Sequence, residues 1–104
     1  MFTRHLTMKL QPNVVPEFNR VIENEILPLL RKQPGFRDEI TFVAPERSEA
    51  VAISFWETKD SCENYNRTGY PEVLKTLAKV VQGTPRVDTF ELSISTLHKL
   101  SAKA

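Results

Sequence analysis

The chain is poor in the residues on which several classes of protein depend. Its single cysteine, Cys62, cannot form an internal disulfide, so we expect a reducing, cytoplasmic setting. Its three glycines form no phosphate-binding loop, which argues against a nucleotide or flavin site of that type. No apolar run approaches the roughly 18 residues of a membrane span. The alternating, charged N-terminus is also unlike a signal peptide.

Charge of one sign is equally scarce. The 104 residues carry 14 Lys and Arg against 13 Asp and Glu, a formal net charge of +1. No basic stripe alternates with aromatic residues, so we expect neither nucleic acid nor a membrane as partner. His5 and His98 are far apart, and no spacing of His, Cys, Asp or Glu suits a metal. We therefore expect no metal and no cofactor, and a partner that is a neutral small molecule or another protein.

Four stretches alternate between apolar and polar residues, as half-buried strands do. They are residues 2–10, 37–44, 50–56 and 87–97. In the first stretch, Arg4 interrupts an otherwise apolar face. The residues expected to face the core in the last two strands are Val51, Ile53, Phe55, Phe90, Leu92 and Ile94.

Two helical regions separate these strands. The first is predicted to start at Asn13 as N-cap and to run to about Lys32, with a kink at Pro28. The second has Thr58 as its cap and a break at Gly69.

The second helix restarts at Pro71, which suits a first helical position. Val80 and Val81 extend its apolar stripe, and Gly83 is expected to end it. We expect residues 98–104 to form a frayed tail.

The order strand, helix, strand, strand, helix, strand is that of a ferredoxin-like α+β domain. It predicts one domain over residues 1–104, with a four-stranded antiparallel sheet and both helices on one face. The second sheet face is expected to expose Val43, Ala52 and Trp56. Such a face is too aromatic for bare surface, which predicts contact with a second copy.

Three segments carry a resemblance to a known family. "ILPLLRKQPGF", "ISFWETKDSCENYN" and "YPEVLKTL" resemble the antibiotic-biosynthesis-monooxygenase-type (ABM) domain, over about residues 2–97. The resemblance implies a homodimer in which two sheets pack face to face as a dimeric α+β barrel. Some members oxidise aromatic polyketides with oxygen and no metal or flavin, some degrade haem, and others process quinones or aldehydes.

The haem-degrading members are a poor match at their functional positions. Their strand-1 asparagine has no counterpart in residues 2–10. Their second-helix tryptophan aligns on Tyr65, and their histidine aligns on Lys75. We therefore expect no haem.

The cofactor-independent members use asparagine, tryptophan and tyrosine in their cavity. Residues of these types that could bind an aromatic substrate are Trp56, Asn64 and Tyr70, and we take Tyr65 as a candidate catalytic residue. His5 is a second catalytic candidate, because the pKa of histidine suits a proton acceptor for a phenol.

Each candidate also has a structural interpretation. Trp56 could fill a dimer interface or the sheet edge, and Tyr70 could belong to a simple helix restart. His5 could be a neutral histidine bonded to a neighbouring hydroxyl, and Tyr65 could be a bonded core residue.

Two functions remain in view from the sequence. The first is a cofactor-independent monooxygenase-like enzyme acting on an aromatic or quinone-like small molecule. The alternative is a non-catalytic dimer that binds a small ligand or acts in stress.

Overall fold

The computed structural model describes residues 1–97, so the predicted tail and His98 lie outside the described residues. Within that range the elements follow the predicted order. They are β1 (Phe2–Leu10), α1 (Val15–Val21), a π-helical segment (Ile22–Ile26), α2 (Leu27–Arg31), β2 (Phe36–Ala44), a 3₁₀ turn (Pro45–Arg47), β3 (Glu49–Trp56), α3 (Lys59–Thr68), α4 (Tyr70–Leu77) and β4 (Val81–Glu91).

The four strands form one antiparallel sheet in the order β2-β3-β1-β4. The two central strands are therefore the first and third along the chain, as the ferredoxin-like arrangement requires. Both helical regions pack on one face of this sheet, and their buried residues form a single apolar core with β1 and β3. The predicted α+β fold class is confirmed.

The first helical region departs from the prediction at its start. Asn13 is not the N-cap, because it adopts a left-handed conformation with φ 55°, which asparagine tolerates better than most residues. Val14 takes the N-cap position without a side-chain hydrogen bond. Before Pro28, the helix widens into the π segment, in which Leu27 N–H bonds to Ile22 C=O. A π segment is a common way to accommodate an interruption of the regular helical bonds.

The face of β3 that meets the helices is the opposite of the one predicted. Ala50 and Trp56 are 1% and 0% exposed and belong to the core. Val51, Ile53 and Phe55 lie on the other face, since they pair with Thr7, His5 and Thr3 of β1. Small residues on the core side of β3 give little hydrophobic signal, whereas large residues on the open side mimic a core stripe.

The last strand begins and ends earlier than predicted. Val80 and Val81 are not helical: Gln11 N–H bonds to Val80 C=O, and Val81 pairs with Leu10. Gly83, with φ 68°, lies within the strand next to a register shift opposite Thr7 and Lys9. Glycine is favoured at such a bulge because it adopts positive φ without strain.

The strand ends at Glu91 because its partner β1 ends there. Glu91 pairs with Phe2, and the last bond runs from Leu92 N–H to Met1 C=O. Ile94 lies beyond the strand and is 87% exposed, whereas Phe90 lies within it but pairs with Thr3 on the open face and is 55% exposed, so neither residue is in the core.

The start of α3 is fixed by a predicted cap and a close backbone contact. Thr58 Oγ1 accepts a hydrogen bond from Ser61 N–H at 3.0 Å, which confirms the cap. Gly35 has φ 81°, and a Cβ at this position would lie 2.4 Å from Ser61 Cβ. Any side chain at Gly35 would therefore push α3 away from the sheet.

Candidate functional site

A small cavity lies between the core face of the sheet and the helices. It holds about 380 Å³ of space not filled by atoms, counting its open mouth, of which about 30 Å³ is open to the centre of a water molecule. Most of its wall is apolar. The apolar lining residues are Leu6, Met8, Ile22, Ile26, Leu30, Ala52, Val73 and Leu77.

Polar side chains from three neighbouring strands line the same cavity. Arg4 of β1 pairs with Ser54 of β3, and Ser54 pairs with Glu39 of β2. Because the three residues are in register, their side chains share the core face of the sheet. Two strand spacings separate Arg4 from Glu39, about 10 Å between Cα atoms. The cavity therefore has a cation towards one side and a carboxyl group towards the other.

Arg4 is a buried cation without a carboxylate partner. It is 3% exposed, and none of the ion pairs found within residues 1–97 includes it. Its Nη2 donates a hydrogen bond to Asn66 Oδ1 at 2.8 Å. Its guanidinium lies over the Tyr70 ring at 3.9 Å and near the Tyr65 ring at 5.4 Å. The amide of Asn66 and the two tyrosine rings stabilise this positive charge without neutralising it. The guanidinium can therefore still attract a negative group of a ligand.

Tyr65 lies against Trp56 and presents its hydroxyl at the cavity. Tyr65 is 3% exposed, and its ring stacks on that of Trp56 with centroids 4.8 Å apart. Trp56 Nε1 donates to Ser54 Oγ at 2.9 Å, which fixes the indole. Within residues 1–97 no hydrogen bond of the Tyr65 hydroxyl is found, and no side-chain nitrogen or oxygen is both fully enclosed and unpaired, so this oxygen borders open space and the residue lines the cavity.

The protonation state of Tyr65 is set by its surroundings. Burial raises the pKa of the Tyr65 phenol well above its ordinary value, although the charge of Arg4 opposes this shift. The hydroxyl therefore stays protonated near neutral pH and can donate a hydrogen bond into the cavity.

Glu39 is the carboxyl group of the cavity. Its Oε2 accepts a hydrogen bond from Thr41 Oγ1. Burial raises the pKa of Glu39 above its ordinary value, and the hydrogen bond from Thr41 partly offsets the shift.

The structure separates the candidates that were predicted from sequence. Trp56, Tyr65 and Tyr70 form one aromatic cluster around Arg4. Asn64 is half-buried on α3 but does not line the cavity; its C=O accepts a hydrogen bond from Thr68 Oγ1.

His5 lies on the other face of the sheet, away from this cluster. Its Nε2 is 3.2 Å from Thr3 Oγ1, and its ring meets Phe90 edge to face at 4.8 Å. Burial lowers the pKa of His5, while the charge of Asp88 on β4 acts in the opposite direction. This environment matches the structural interpretation of His5, a histidine bonded to a neighbouring hydroxyl.

The polar residues of the cavity were not predicted as functional. Arg4 gave a usable signal, since a cation in the apolar phase of a strand must be buried or must break the strand. Glu39 and Ser54 gave no such signal in the sequence, because they lie beside Arg4 only through the pairing of three strands. Asn66 was also missed, since exposed helix asparagines are common.

The described part of the chain contains neither a metal site nor a membrane helix. Within residues 1–97, no group of three or more His, Cys, Asp or Glu side chains is arranged to hold a metal ion. No helix in this range is both long and apolar enough to cross a membrane.

Comparisons with known proteins were informative only at the level of structure. No family model matches the sequence, and no curated protein matches it. Among solved structures, the monooxygenase of ActVA-Orf6 from Streptomyces coelicolor, in complex with nanaomycin D, is similar with a TM-score of 0.76 and 15% identity over 92% of this chain and 90% of its own.

Two further solved structures are similar. SnoaB, a cofactor-independent oxygenase from Streptomyces nogalater, has a TM-score of 0.74 at 16% identity, covering 91% of this chain and 95% of its own. A Bordetella bronchiseptica protein, whose name assigns it to the antibiotic biosynthesis monooxygenases, has a TM-score of 0.75 at 16% identity, covering 89% and 97%. At such low identity these likenesses establish the fold alone. The chain therefore has the fold of the ABM-type domain that its sequence resembles.

Proposed function

We propose that the protein is a cofactor-independent, monooxygenase-like enzyme acting on a phenolic aromatic or quinone-like small molecule. The observation that carries this proposal is the buried guanidinium of Arg4, which forms no ion pair with a carboxylate of residues 1–97 and lines a mostly apolar cavity. A phenolate or enolate oxygen is the ligand group that such a cation favours. The likeness to SnoaB and to the nanaomycin D complex supports the same class of chemistry.

The proposed reaction needs only the substrate and molecular oxygen. Loss of a proton from the substrate places negative charge on its oxygen and, by conjugation, on a ring carbon. Oxygen then adds to that carbon, and the O–O bond breaks. One oxygen atom remains on that ring carbon as a carbonyl. The other leaves as water, with the hydrogen of the ring carbon and the proton that the substrate lost at the start. The substrate supplies every electron that oxygen accepts, so no reductant is required.

The residues of the cavity have distinct parts in this proposal. Arg4 stabilises the negative oxygen, and the protonated Tyr65 hydroxyl donates to the same atom or to a neighbouring carbonyl. Trp56 positions Tyr65 by stacking on its ring, and Tyr70 positions Arg4 by lying under its guanidinium. These two residues thereby help to orient the substrate. The apolar wall excludes water, which strengthens these electrostatic interactions.

A homodimer is part of the proposal. The open face of the sheet carries Phe42 and Phe90, which are 57% and 55% exposed, beside the partly buried Val51 and Ile53. Packing two such faces would bury these rings, as in a dimeric α+β barrel. A cytoplasmic location remains a prediction, supported by the free, buried thiol of Cys62.

The alternative function is a non-catalytic dimer that binds a small ligand or acts in stress. The small free volume of the cavity favours it, because about 30 Å³ holds water but not an aromatic ring without movement of the wall. The distance of His5 from the cavity favours it too.

Oxidation of a phenolic panel tests the proposal. A phenol, a naphthohydroquinone and anthrone would be incubated with the protein in air, and product formation and oxygen uptake would be followed. Arg4→Met should lower the turnover of any substrate found by about 100-fold or more, the loss expected for removing one oxyanion donor. Arg67→Met is the matched control, since it removes an exposed arginine of α3. Binding without oxidation would favour the alternative, and an active Arg4→Met would refute the role of Arg4.

A further inference from the structure

Glu39 lines two spaces at once. It forms part of the wall of the inner cavity and also of an outer cleft, in which about 380 Å³ is open to the centre of a water molecule, against about 30 Å³ in the inner cavity. That cleft lies where α2 ends and β2 begins. Its other lining residues are Leu27, Arg31, Phe36, Arg37 and Asp38. Of the residues that line the inner cavity, Glu39 is the one that also faces this cleft.

We infer that Glu39 is the proton acceptor of the cavity, and that it holds the proton of a phenolic ligand for as long as the phenolate is bound, while the outer cleft connects this carboxyl group with solvent between turnovers. The inference rests on the proposed function, because it concerns the same cavity. It supplies the base which that function requires and which His5, on the other face of the sheet, cannot provide.

The proton transfer is simple in its chemistry. The O–H bond of the phenol breaks, and its electron pair remains on the phenol oxygen. The proton forms a new O–H bond with a carboxylate oxygen of Glu39. The negative charge thereby moves across the cavity from Glu39 towards Arg4, where the guanidinium stabilises it. Glu39 keeps this proton while the phenolate is bound, and it exchanges the proton with water in the outer cleft once the ligand has reacted or left.

The groups around Glu39 suit a base of intermediate strength. Arg4 and Tyr65 face it from the cavity, and Arg31, Arg37 and Asp38 share the cleft with it. Burial raises the pKa of Glu39, which makes its carboxylate a stronger base than an exposed glutamate.

Thr41 opposes this shift through its hydrogen bond to the carboxylate. Because Thr41 does not line the cavity, it offers a way to change the basicity of Glu39 without changing what a ligand touches.

Proton counting on ligand binding tests the inference directly. The probe is 4-cyanophenol, whose single ring requires less movement of the cavity wall than a fused-ring phenol and which is un-ionised in water at about pH 6. Calorimetry in two buffers of different ionisation enthalpy reports the protons exchanged with solvent, and ultraviolet absorption reports the bound phenolate. We expect the wild-type protein to show the phenolate band with no net proton released.

The variant Glu39→Gln removes the acceptor and keeps the shape. We expect it either to lose the phenolate band or to release one proton per ligand to the buffer. Thr41→Val keeps Glu39 but removes a hydrogen bond that favours the carboxylate, so it should move the acid limb of phenolate binding to higher pH. The melting temperature of both variants checks that they are folded.

The outcomes separate this inference from the proposed function. Binding of the un-ionised phenol, or release of its proton to the buffer by the wild-type protein, overturns the role of Glu39 and leaves a binding cavity. An unchanged phenolate band and proton count in Glu39→Gln overturns it as well. Failure of the wild-type protein to bind any phenol overturns both proposals.

Discussion

The hydroxyl of Tyr65 offers a sharp test of the cavity, because its removal should affect ligand binding without weakening the fold. Tyr65→Phe keeps the ring stacked on Trp56 and deletes one oxygen atom. If that oxygen were hydrogen-bonded within the core, its loss would lower the free energy of unfolding by about 1 kcal/mol. No such bond is found within residues 1–97.

The size of the expected change follows from what the hydroxyl contacts. A buried hydroxyl without any partner costs about 1–3 kcal/mol in proteins. The cavity, however, leaves about 30 Å³ open to water centres, which exceeds the roughly 10–15 Å³ that one water needs. Water can therefore satisfy the hydroxyl, and the free energy of unfolding of Tyr65→Phe should match that of the wild-type protein or exceed it by up to about 1 kcal/mol.

Urea unfolding measures this difference, provided that the slope of the transition stays unchanged. Tyr65→Ala is the control, since it also removes the stacked ring and should lose about 3–5 kcal/mol. The affinity of Tyr65→Phe for 4-cyanophenol should fall several-fold, as expected for the loss of one hydrogen bond. A loss of 1 kcal/mol or more in Tyr65→Phe, with unchanged affinity, would show that Tyr65 is a structural residue and would remove it from the site.

Three further predictions follow from burial, exposure and charge. Trp56→Ala should lose about 3–5 kcal/mol of unfolding free energy in urea and Phe55→Ala less, because Trp56 is 0% exposed and belongs to the apolar core, whereas Phe55, although only 7% exposed, lies on the open face outside that core. The reverse order would contradict the assignment of faces. Light scattering should give the wild-type protein twice the monomer mass and should give Phe42→Lys a lower mass. A charge in place of the exposed Phe42 ring would oppose the packing of two open faces. A monomeric wild-type protein would refute the dimer. Burial raises the pKa of the Glu39 carboxyl group above 4.5, so the folded state binds a proton at this group more tightly than the unfolded state does. The contribution of this proton to the free energy of unfolding is present below pH 4.5 and is lost as the pH rises through the pKa of the folded state. Glu39→Gln should therefore raise the melting temperature at neutral pH and leave it nearly unchanged at about pH 4, and equal effects at both pH values would contradict the shift.

The order and type of the elements could be predicted because the periodicity of β1 and of the helices reflects burial on one side. Leu6, Met8 and Leu10 alternate and are buried, as the pattern in β1 indicates. In β3 the same reasoning failed, because the core side holds Ala50, Ala52 and Ser54. The cavity lies over Ala52 and Ser54, and only the tertiary packing shows which face of β3 the helices cover.

The error at β4 has a different physical cause. Val80 and Val81 continue the helical spacing of Val73 and Leu77, so local pattern alone favours a longer helix. Backbone hydrogen bonds to Gln11 and pairing with Leu10 outweigh that preference. Long-range pairing of this kind leaves no mark within the segment itself.

The candidate site was predicted in part. Trp56, Tyr65 and Tyr70 were chosen by residue type, with Trp56 expected on the open face of the sheet; their three rings lie together on the core side, which the sequence did not predict. Arg4 and Glu39 were not, since they are 35 positions apart in sequence and meet only through Ser54 on the strand between them. Strand register, rather than any local motif, assembles the charged part of the cavity.

The burial of Arg4 is itself an argument about function. Its hydrogen bond to Asn66 is worth about 1.5–3 kcal/mol as a bond to a charged group, and its position over the Tyr70 ring adds about 0.5–2 kcal/mol. Against this, removing one ion from water costs several kcal/mol even after relaxation of the surroundings. The two sides roughly cancel, so a methionine of similar length would serve the fold at least as well. A buried cation that the fold does not need, beside a hydroxyl that has no hydrogen-bond partner among residues 1–97, is better explained by a negative ligand that binds between them.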